Sequence, residues 1–531
     1  MIRLTIDGQP VEVAPGQTVL EAARKLGIDI PTLCYREACG PMTSCLVCVV
    51  MVTVNGRARI VPSCATRAEE GMIVVSETDE IRSLRRAALE LLLSDHVGDC
   101  LAPCHRICPL DLNVPRMIRQ IEQERQDEAI VTVRQALALP GALGRLCHAP
   151  CENGCRRSGG NGALAIRELE RHVADADRTS GAGWLPPRKP ASGRRVAIVG
   201  AGPAGLAAAY SLLRQGHACT LFDRGSRPGG SLRSEPQAKG LPAEVLDFDL
   251  AQIRKLGAVF LHEQELGRTI SLVELERDFD AVLIATGAMA QGEPEALGLP
   301  AGAHGVRIRT GTFETGTPKV FAAGSAVRPM TQIVRAMADG QAAAECMHLF
   351  LTGLPVRPPA KAFSSVMGRL ETLELDRFLQ LASPAPPTTP ARGVDLGFTV
   401  PEAIGEAKRC LHCDCRAVGK CALQHYSELY GATPNRFSRQ RRLFTLELHP
   451  ADVVFEPGKC ILCGICVHLA QKAAEPLGLT FVGRGFDVQV AAPFGRAFAE
   501  GLKKVAAECV AACPTGAIVF RDAQRTGSAR G

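Results

Sequence analysis

Eighteen of the 22 cysteines in this 531-residue chain stand in four groups, and the spacing inside each is that of thiolates wrapped around a metal core. Cys34, Cys45, Cys48 and Cys64 read C-x10-C-x2-C-x15-C, and Cys410, Cys413, Cys415 and Cys421 read C-x2-C-x-C-x5-C. Between them lie Cys100, Cys104, Cys108, Cys147, Cys151 and Cys155, and beyond them Cys460, Cys463, Cys466 and a distant Cys513. Thiolates crowded at such intervals destabilise a fold unless a metal centre draws them together. Iron–sulfide cores do so and carry one electron at a time. Zinc also takes four cysteines and stands as the alternative for the first and third groups. Disulfides suit short secreted scaffolds rather than a long chain of Cys-x-x-Cys repeats. Cys39, Cys219, Cys346 and Cys509 fall outside the patterns and read as bystander or packing residues, as does His412 beside Cys413.

A second chemistry stands mid-chain. Arg195-Val-Ala-Ile-Val199 is a buried-strand run feeding Gly200-Ala-Gly202-Pro203-Ala204-Gly205, and residues 206–215 read as a helix. A bare GxGxxG says little. With a strand before it, a helix after it and an acid, Asp223 followed by Arg224, closing the next strand, it is a dinucleotide fingerprint. Its glycines let backbone approach a pyrophosphate, whose charge meets the helix N-terminus. Asp223 is placed to accept from ribose hydroxyls. Pro228-Gly229-Gly230, Thr286-Gly287 and Gly324-Ser325 extend the pattern downstream.

These residues need about three to five domains to hold them, since one core cannot serve a chain of this length. Two linkers rich in Pro, Gly and Ser, 178–193 and 383–392, punctuate it. The expectation is a multidomain α/β plus α+β chain. Residues 1–78 form a small β-rich domain in which a hairpin (4–13) and a helix (19–26) precede the first cysteines. Residues 79–180 are helical and cysteine-rich, 193–356 Rossmann-type, 360–440 a helical connector, and 441–523 a ferredoxin-like end. Cys513-Pro514 closes that last domain as the fourth ligand and its proline. The formal charge of +6 treats every thiol as neutral. Each four-thiolate centre carries roughly −2, so the loaded chain is acidic and a nucleic-acid partner is not expected. The N-terminus lacks a signal-peptide pattern. No run of about 18 apolar residues appears, so the chain is expected to be cytoplasmic and not membrane-spanning.

Cys34-Tyr-Arg-Glu-Ala, Cys45-Leu-Val-Cys48, Pro62-Ser-Cys64-Ala-Thr and Glu70-Gly-Met-Ile-Val resemble the N-terminal domain of the large iron–sulfur subunit of respiratory complex I and of NAD-reducing hydrogenase diaphorase subunits. That resemblance implies a β-grasp domain holding one [2Fe–2S] centre. Gly483-Arg-Gly-Phe486 and the Cys460 triplet resemble the ferredoxin-like stretch of the same proteins, and imply one [4Fe–4S] centre on Cys460, Cys463, Cys466 and Cys513. Cys104-His-Arg-Ile-Cys108-Pro109, Gly144-Arg145, Cys147-His-Ala-Pro-Cys151-Glu-Asn-Gly-Cys155 and Ala165-Ile-Arg-Glu-Leu-Glu170 resemble instead the N-terminal domain of the glutamate synthase small subunit and dihydropyrimidine dehydrogenase. In those proteins two [4Fe–4S] cubanes share interleaved ligands. Carried over, one cubane takes Cys108, Cys147, Cys151 and Glu170. The other takes Cys100, Cys104 and Cys155, with His96 filling the place of an absent cysteine. For His96 and Glu170 the competing reading is a packing or solvent-facing residue. Cys410, Cys413, Cys415 and Cys421 are expected to wrap one more cubane.

The glycine loop, Thr286-Gly287 and Gly324 are similar to the FAD half of the glutamate synthase small subunit, and imply FAD at this loop. Two departures are visible. Ser325 stands where the family has an aspartate that contacts the flavin's ribityl–phosphate region. Only 32 residues separate Gly287 from Val320, too few for the second Rossmann unit that binds NAD(P)H in those relatives. The expectation is therefore FAD, one [2Fe–2S] and three to four [4Fe–4S] centres, with no residues set for organic substrate chemistry. The chain reads as an FAD- and iron–sulfur-dependent oxidoreductase subunit in a hetero-oligomer, converting between two-electron and one-electron transfer. Its redox partner would be of NAD(P)H diaphorase, formate dehydrogenase or hydrogenase type. A self-sufficient NAD(P)H-dependent reductase and a non-catalytic cluster-stabilised scaffold are the alternatives.

Overall fold

Alternating apolar residues at the start of the chain form a hairpin, Ile2–Ile6 paired antiparallel with Gln9–Val13, with Leu4, Ile6 and Val13 turned inward. The computed structural model describes residues 1–181, 183–234, 239–437, 441–450 and 453–521. Residue 182 of the first linker, 235–238 of the Rossmann-type domain, 438–440 of the connector and 451–452 and 522–523 of the last domain lie outside the described residues. The chain is mixed α/β and multidomain, and its segments interleave into two compact units. One comprises residues 1–102, 362–378 and 413–531; the other comprises 103–361 and 379–412. The expected 360–440 connector is thus divided between them.

In the first unit the hairpin joins a five-stranded mixed sheet, ordered Gln9–Val13, Ile2–Ile6, Ile73–Val75, Val49–Val54, Arg57–Pro62. The helix Val19–Lys25 starts at a capping box in which Thr18 and Glu21 bond reciprocally. Its Val19, Leu20, Ala22 and Ala23 pack with Val50, Val52, Met72 and Val74. Each large apolar side chain buried this way contributes about 1.5–3 kcal/mol. A long helix, Asp79–Ser94, follows, capped by the Thr78 hydroxyl. After the chain returns, Glu447–His449, Val453–Phe455 and Ile518–Phe520 make a three-stranded antiparallel sheet. The helix Ala506–Ala512 packs on it, and Ile465–Lys472 packs on that helix in the same core.

The second unit opens with short helices, Pro103–Ile107, Val114–Glu122, Gln126–Ala136, Pro140–Leu146 and Pro150–Asn153, and the longer Ile166–Thr179. Prolines sit in the first turn of four of them, where no N–H is needed. A five-stranded all-parallel sheet follows, ordered Val259–Leu261, Ala218–Phe222, Arg195–Val199, Ala281–Ile284, Val320–Ala322. The helices Pro203–Arg214 and Ile333–Leu351 cross so closely that a Cβ on Gly340 would lie 2.0 Å from the Ala204 carbonyl oxygen. Residues 285–319 hold the helix Glu293–Ala296 and isolated bridges, and no second nucleotide-binding sheet. Among the described residues no helix is long and apolar enough to cross a membrane.

Candidate functional site

The first cysteine group converges. Cys34, Cys45, Cys48 and Cys64 are all buried, and the Cys48 and Cys64 sulfurs lie 3.4 Å apart. Left-handed backbone at Thr43 and Leu46 bends the loop around them. A hydrogen bond from the Cys45 thiol holds Cys34 down to about 5 against the opposing effect of burial, and the same bond pushes Cys45 up.

Cys460, Cys463, Cys466 and Cys513 line a recess walled by Phe455, Ile465 and Val490, with about 390 Å³ free of protein atoms, part of it open to solvent. The Leu462 amide donates to the Cys460 sulfur at 3.4 Å, and left-handed backbone at Leu462 and Gly464 turns the loop inward. Cys509, expected to be a packing residue, also lines this recess. Cys34 lies close enough to raise the Cys463 thiol, so the two groups adjoin.

The third meeting point in this unit departs from the expected grouping. Cys415 and Cys421 face Cys100, not a loop closed with Cys410. The Cys415 amide donates to the Cys100 carbonyl at 3.3 Å, and the charges of Cys415 and Cys100 both act on Cys421. The amides of Ser365 and Gln424 donate to the sulfurs of Cys100 and Cys421, each at 3.4 Å. His96 is half-buried beside Lys459, and its Nδ1, shielded from solvent, has no hydrogen-bond partner. Burial, then the Lys459 charge, lowers it to about 4 and keeps its ring neutral. Lys459 places its ammonium 3.7 Å from the Cys415 sulfur and pairs with the Glu456 carboxylate. Spacing joined Cys410 to Cys421, and the family resemblance joined Cys100 to Cys104 and Cys155. Cys100, Cys415 and Cys421 belong to the first unit, and Cys104, Cys155 and Cys410 to the second.

In that unit Cys108, Cys147, Cys151 and Glu170 come together as carried over from the resemblance. Each of the three thiols feels the Glu170 charge. Glu170 is buried, its Oε1 has no partner, and burial with the Asp249 charge raises it to about 8. A buried carboxyl oxygen with no donor is what a metal ligand looks like when its metal is removed. Burial lifts Cys108 to about 11 and Cys147 to about 12, so without a core these thiols keep their protons. Cys410 acts on Cys155, and the Arg157 guanidinium ties the two strands of chain together by donating to the Arg409 carbonyl. Cys104 packs half-buried on the same apolar core. His412, expected to be structural, pairs with Glu122 at 3.0 Å. Cys413 follows it where the chain passes into the first unit. Among the described residues no three or more such side chains close as tightly as a single metal ion requires.

The glycine loop has the form a pyrophosphate needs. Gly200 is left-handed (φ +107°), and a Cβ there would lie 2.2 Å from the Ala285 carbonyl oxygen. A Cβ on Gly205 would lie 2.0 Å from the Gly200 oxygen. Gly202 caps Pro203–Arg214, with Pro203 and Ala204 in its first turn. Asp223 accepts from the amides of Ala201 (2.7 Å) and Gly225 (2.8 Å), which fixes the loop while leaving lone pairs free. Arg224 is exposed and Ser325 half-buried. Gly230 sits against Gly202, and Gly324 against Ala204. The Thr286 hydroxyl, just before Gly287, is buried without a partner. Sequence reasoning missed Lys459, Glu456 and Ser365. Of these only Lys459 carried a local signal, its place directly before Cys460.

Three stretches of the chain match known families. Residues 1–79 match the 2Fe-2S iron-sulfur cluster binding domain family, 95–182 the dihydropyrimidine dehydrogenase domain II, 4Fe-4S cluster family, and 198–253 the NAD(P)-binding Rossmann-like domain family. The chain is 37% identical over 224 residues to the NADP(+)-dependent formate dehydrogenase subunit beta of Moorella thermoacetica, covering 37% of this chain and 32% of that protein. It is 37% identical over 222 residues to the glutamate synthase [NADPH] small chain of Mycobacterium tuberculosis, 41% and 44%. It is 34% identical over 210 residues to the NAD-dependent dihydropyrimidine dehydrogenase subunit PreT of Escherichia coli, 38% and 51%. The chain thus spans about a third to a half of the length of these relatives. The expected resemblance to the glutamate synthase small subunit and dihydropyrimidine dehydrogenase holds.

Proposed function

We propose that the chain is an FAD- and iron–sulfur-dependent electron-transfer subunit of a larger cytoplasmic oxidoreductase. The ligand sets follow the groups of thiols. Cys34, Cys45, Cys48 and Cys64 hold a [2Fe–2S] centre in a β-grasp domain, and Cys460, Cys463, Cys466 and Cys513 a [4Fe–4S] centre in a ferredoxin-like one. His96, Cys100, Cys415 and Cys421 hold a second cubane; Cys108, Cys147, Cys151 and Glu170 a third. Cys104, Cys155 and Cys410 are thiols for a fourth, with Cys413 next along the chain. Gly200, Gly202, Pro203, Ala204, Gly205, Asp223, Arg224, Gly230, Thr286, Gly287, Gly324 and Ser325 form the FAD cradle.

Bound FAD exchanges electrons in pairs or singly and the iron–sulfur centres singly, so together they convert between the two kinds of traffic. The chain's own residues bury each centre, donate amide hydrogen bonds to its sulfurs and hold adjacent sets close. One observation carries the reading: no second nucleotide-binding sheet lies between Ile284 and Val320. Electrons from NAD(P)H, formate or hydrogen must then arrive through a partner of diaphorase, formate dehydrogenase or hydrogenase type. Anaerobic mixing of the purified full chain with NADH or NADPH tests this. Slow or absent bleaching of flavin absorbance is expected, with rapid reduction once a partner subunit is added. Rapid turnover of NAD(P)H by the chain alone would overturn the proposal and favour a self-sufficient reductase.

A further inference from the structure

Lys459 is a buried cation with two faces. Its backbone immediately precedes Cys460, and its ammonium reaches the sulfur of Cys415, in the neighbouring set, at 3.7 Å. The Thr515 hydroxyl fixes its carbonyl at 2.9 Å. Two glycines admit its stem. A Cβ on Gly98 would come 2.6 Å from the lysine Cε, and one on Gly516 would come 2.6 Å from the Cys415 sulfur and 3.6 Å from the lysine Cδ. The lysine shares the Glu456 carboxylate with Arg416, whose guanidinium lies 2.8 Å from it. Two cations thus lean on one carboxylate beside Cys415, and the buried Asp99 carboxylate, which acts on Cys100, is the opposing charge. A ligating imidazole from His96 adds none of the negative charge a fourth thiolate would bring.

We propose that Lys459 sets the reduction potential of the centre held by His96, Cys100, Cys415 and Cys421, by pressing a buried ammonium against the Cys415 sulfur. The proposal rests on the ligand set given above. Adding one electron raises the negative charge on the sulfurs. A fixed cation in a low-dielectric setting stabilises the reduced form over the oxidised one. A lysine present only to pair with Glu456 would not need to reach the sulfur.

The test is an anaerobic redox titration of the full chain, with dithionite as electron donor and ferricyanide as acceptor, followed by electron paramagnetic resonance. The centre is recognised by nitrogen hyperfine coupling from His96, which His96→Cys removes. In Lys459→Met its reduction should become at least tenfold less favourable, about 59 mV for a one-electron couple. Glu456→Gln, which frees the two cations, should shift the same centre the opposite way. The other centres should stay in place, and iron content should stay at the wild-type level. Absence of nitrogen coupling from every centre would overturn the ligand set. A nitrogen-coupled centre whose potential stays unmoved in Lys459→Met would overturn the lysine's role alone. Shifts of the same sign in both variants would do so too.

Discussion

The sulfur of Cys421 lies 3.9 Å from the carbonyl oxygen of Pro514, the residue that follows Cys513. The Ala422 amide donates to the same oxygen at 2.9 Å. One peptide therefore joins two thiol sets that the sequence separates by more than ninety residues. With Cys34 adjoining Cys463, three sets in the first unit follow one another, and the Cys460 set stands in the middle.

This arrangement predicts which cysteines act together. Cys100→Ser, Cys415→Ser and Cys421→Ser should each abolish the same paramagnetic signal and lower iron by up to about four atoms per chain. Cys410→Ser should abolish a different one. Iron analysis and spectra of the anaerobically purified variants check it; loss of one shared signal in Cys410→Ser and Cys415→Ser would refute the grouping.

Glu170 couples stability to loading. Its buried, unpaired oxygen costs folding energy, and in the proposed ligand set a metal offsets that cost. Glu170→Leu should therefore stabilise the metal-free chain by about 1–3 kcal/mol. It should also reduce iron at the Cys108 set and change that centre's spectrum. Denaturant unfolding of the apo chain and iron content of the holo chain read the two effects.

Gly200→Ala introduces a Cβ 2.2 Å from a carbonyl oxygen at a left-handed position. Flavin should be lost and the parallel-sheet unit destabilised by about 2–3 kcal/mol. The signals of the centres in the first unit should persist. The ratio of flavin to protein, with spectra of the same sample, tests this.

His217 is buried against His348, Nε2 to Nδ1 at 2.9 Å, with the Ser192 hydroxyl at 2.7 Å. Burial, then the His348 charge, lowers His217 to about 4, below its ordinary value of about 6.5. The unfolded chain takes up this proton first as pH falls. The contribution is complete above about pH 6.5 and is lost on acidification toward 4. Between pH 7.5 and 5.5 the Tm of wild type should fall more than that of His217→Gln; parallel curves would contradict the assignment.

The groups that sequence made legible are those whose ligands lie close in the chain or repeat a known spacing: Cys34 to Cys64, Cys460 to Cys466, and Cys108 with Cys147 and Cys151. The dinucleotide loop was legible because strand, glycines and helix are contiguous. The partners of Cys415 were not. Spacing favours the nearest thiol, Cys413, whereas the fold brings Cys100 beside Cys415 by a backbone contact across more than three hundred residues. Lys459 escaped notice because a lysine gains meaning beside a sulfur only once burial removes water. The connector at 360–440 read as one helical element, since composition cannot reveal that its halves join different cores.

The interleaved path of the chain also fixes a timetable. Cys100 leaves the ribosome long before Cys415 and Cys421, with the whole parallel-sheet unit synthesised in between. The Cys108, Cys147, Cys151 and Glu170 set is complete early and can be loaded on a nascent chain. The proposed His96 set, which needs Cys415 and Cys421, is complete only after the parallel-sheet unit has been made, so its metal arrives later than that of the Cys108 set.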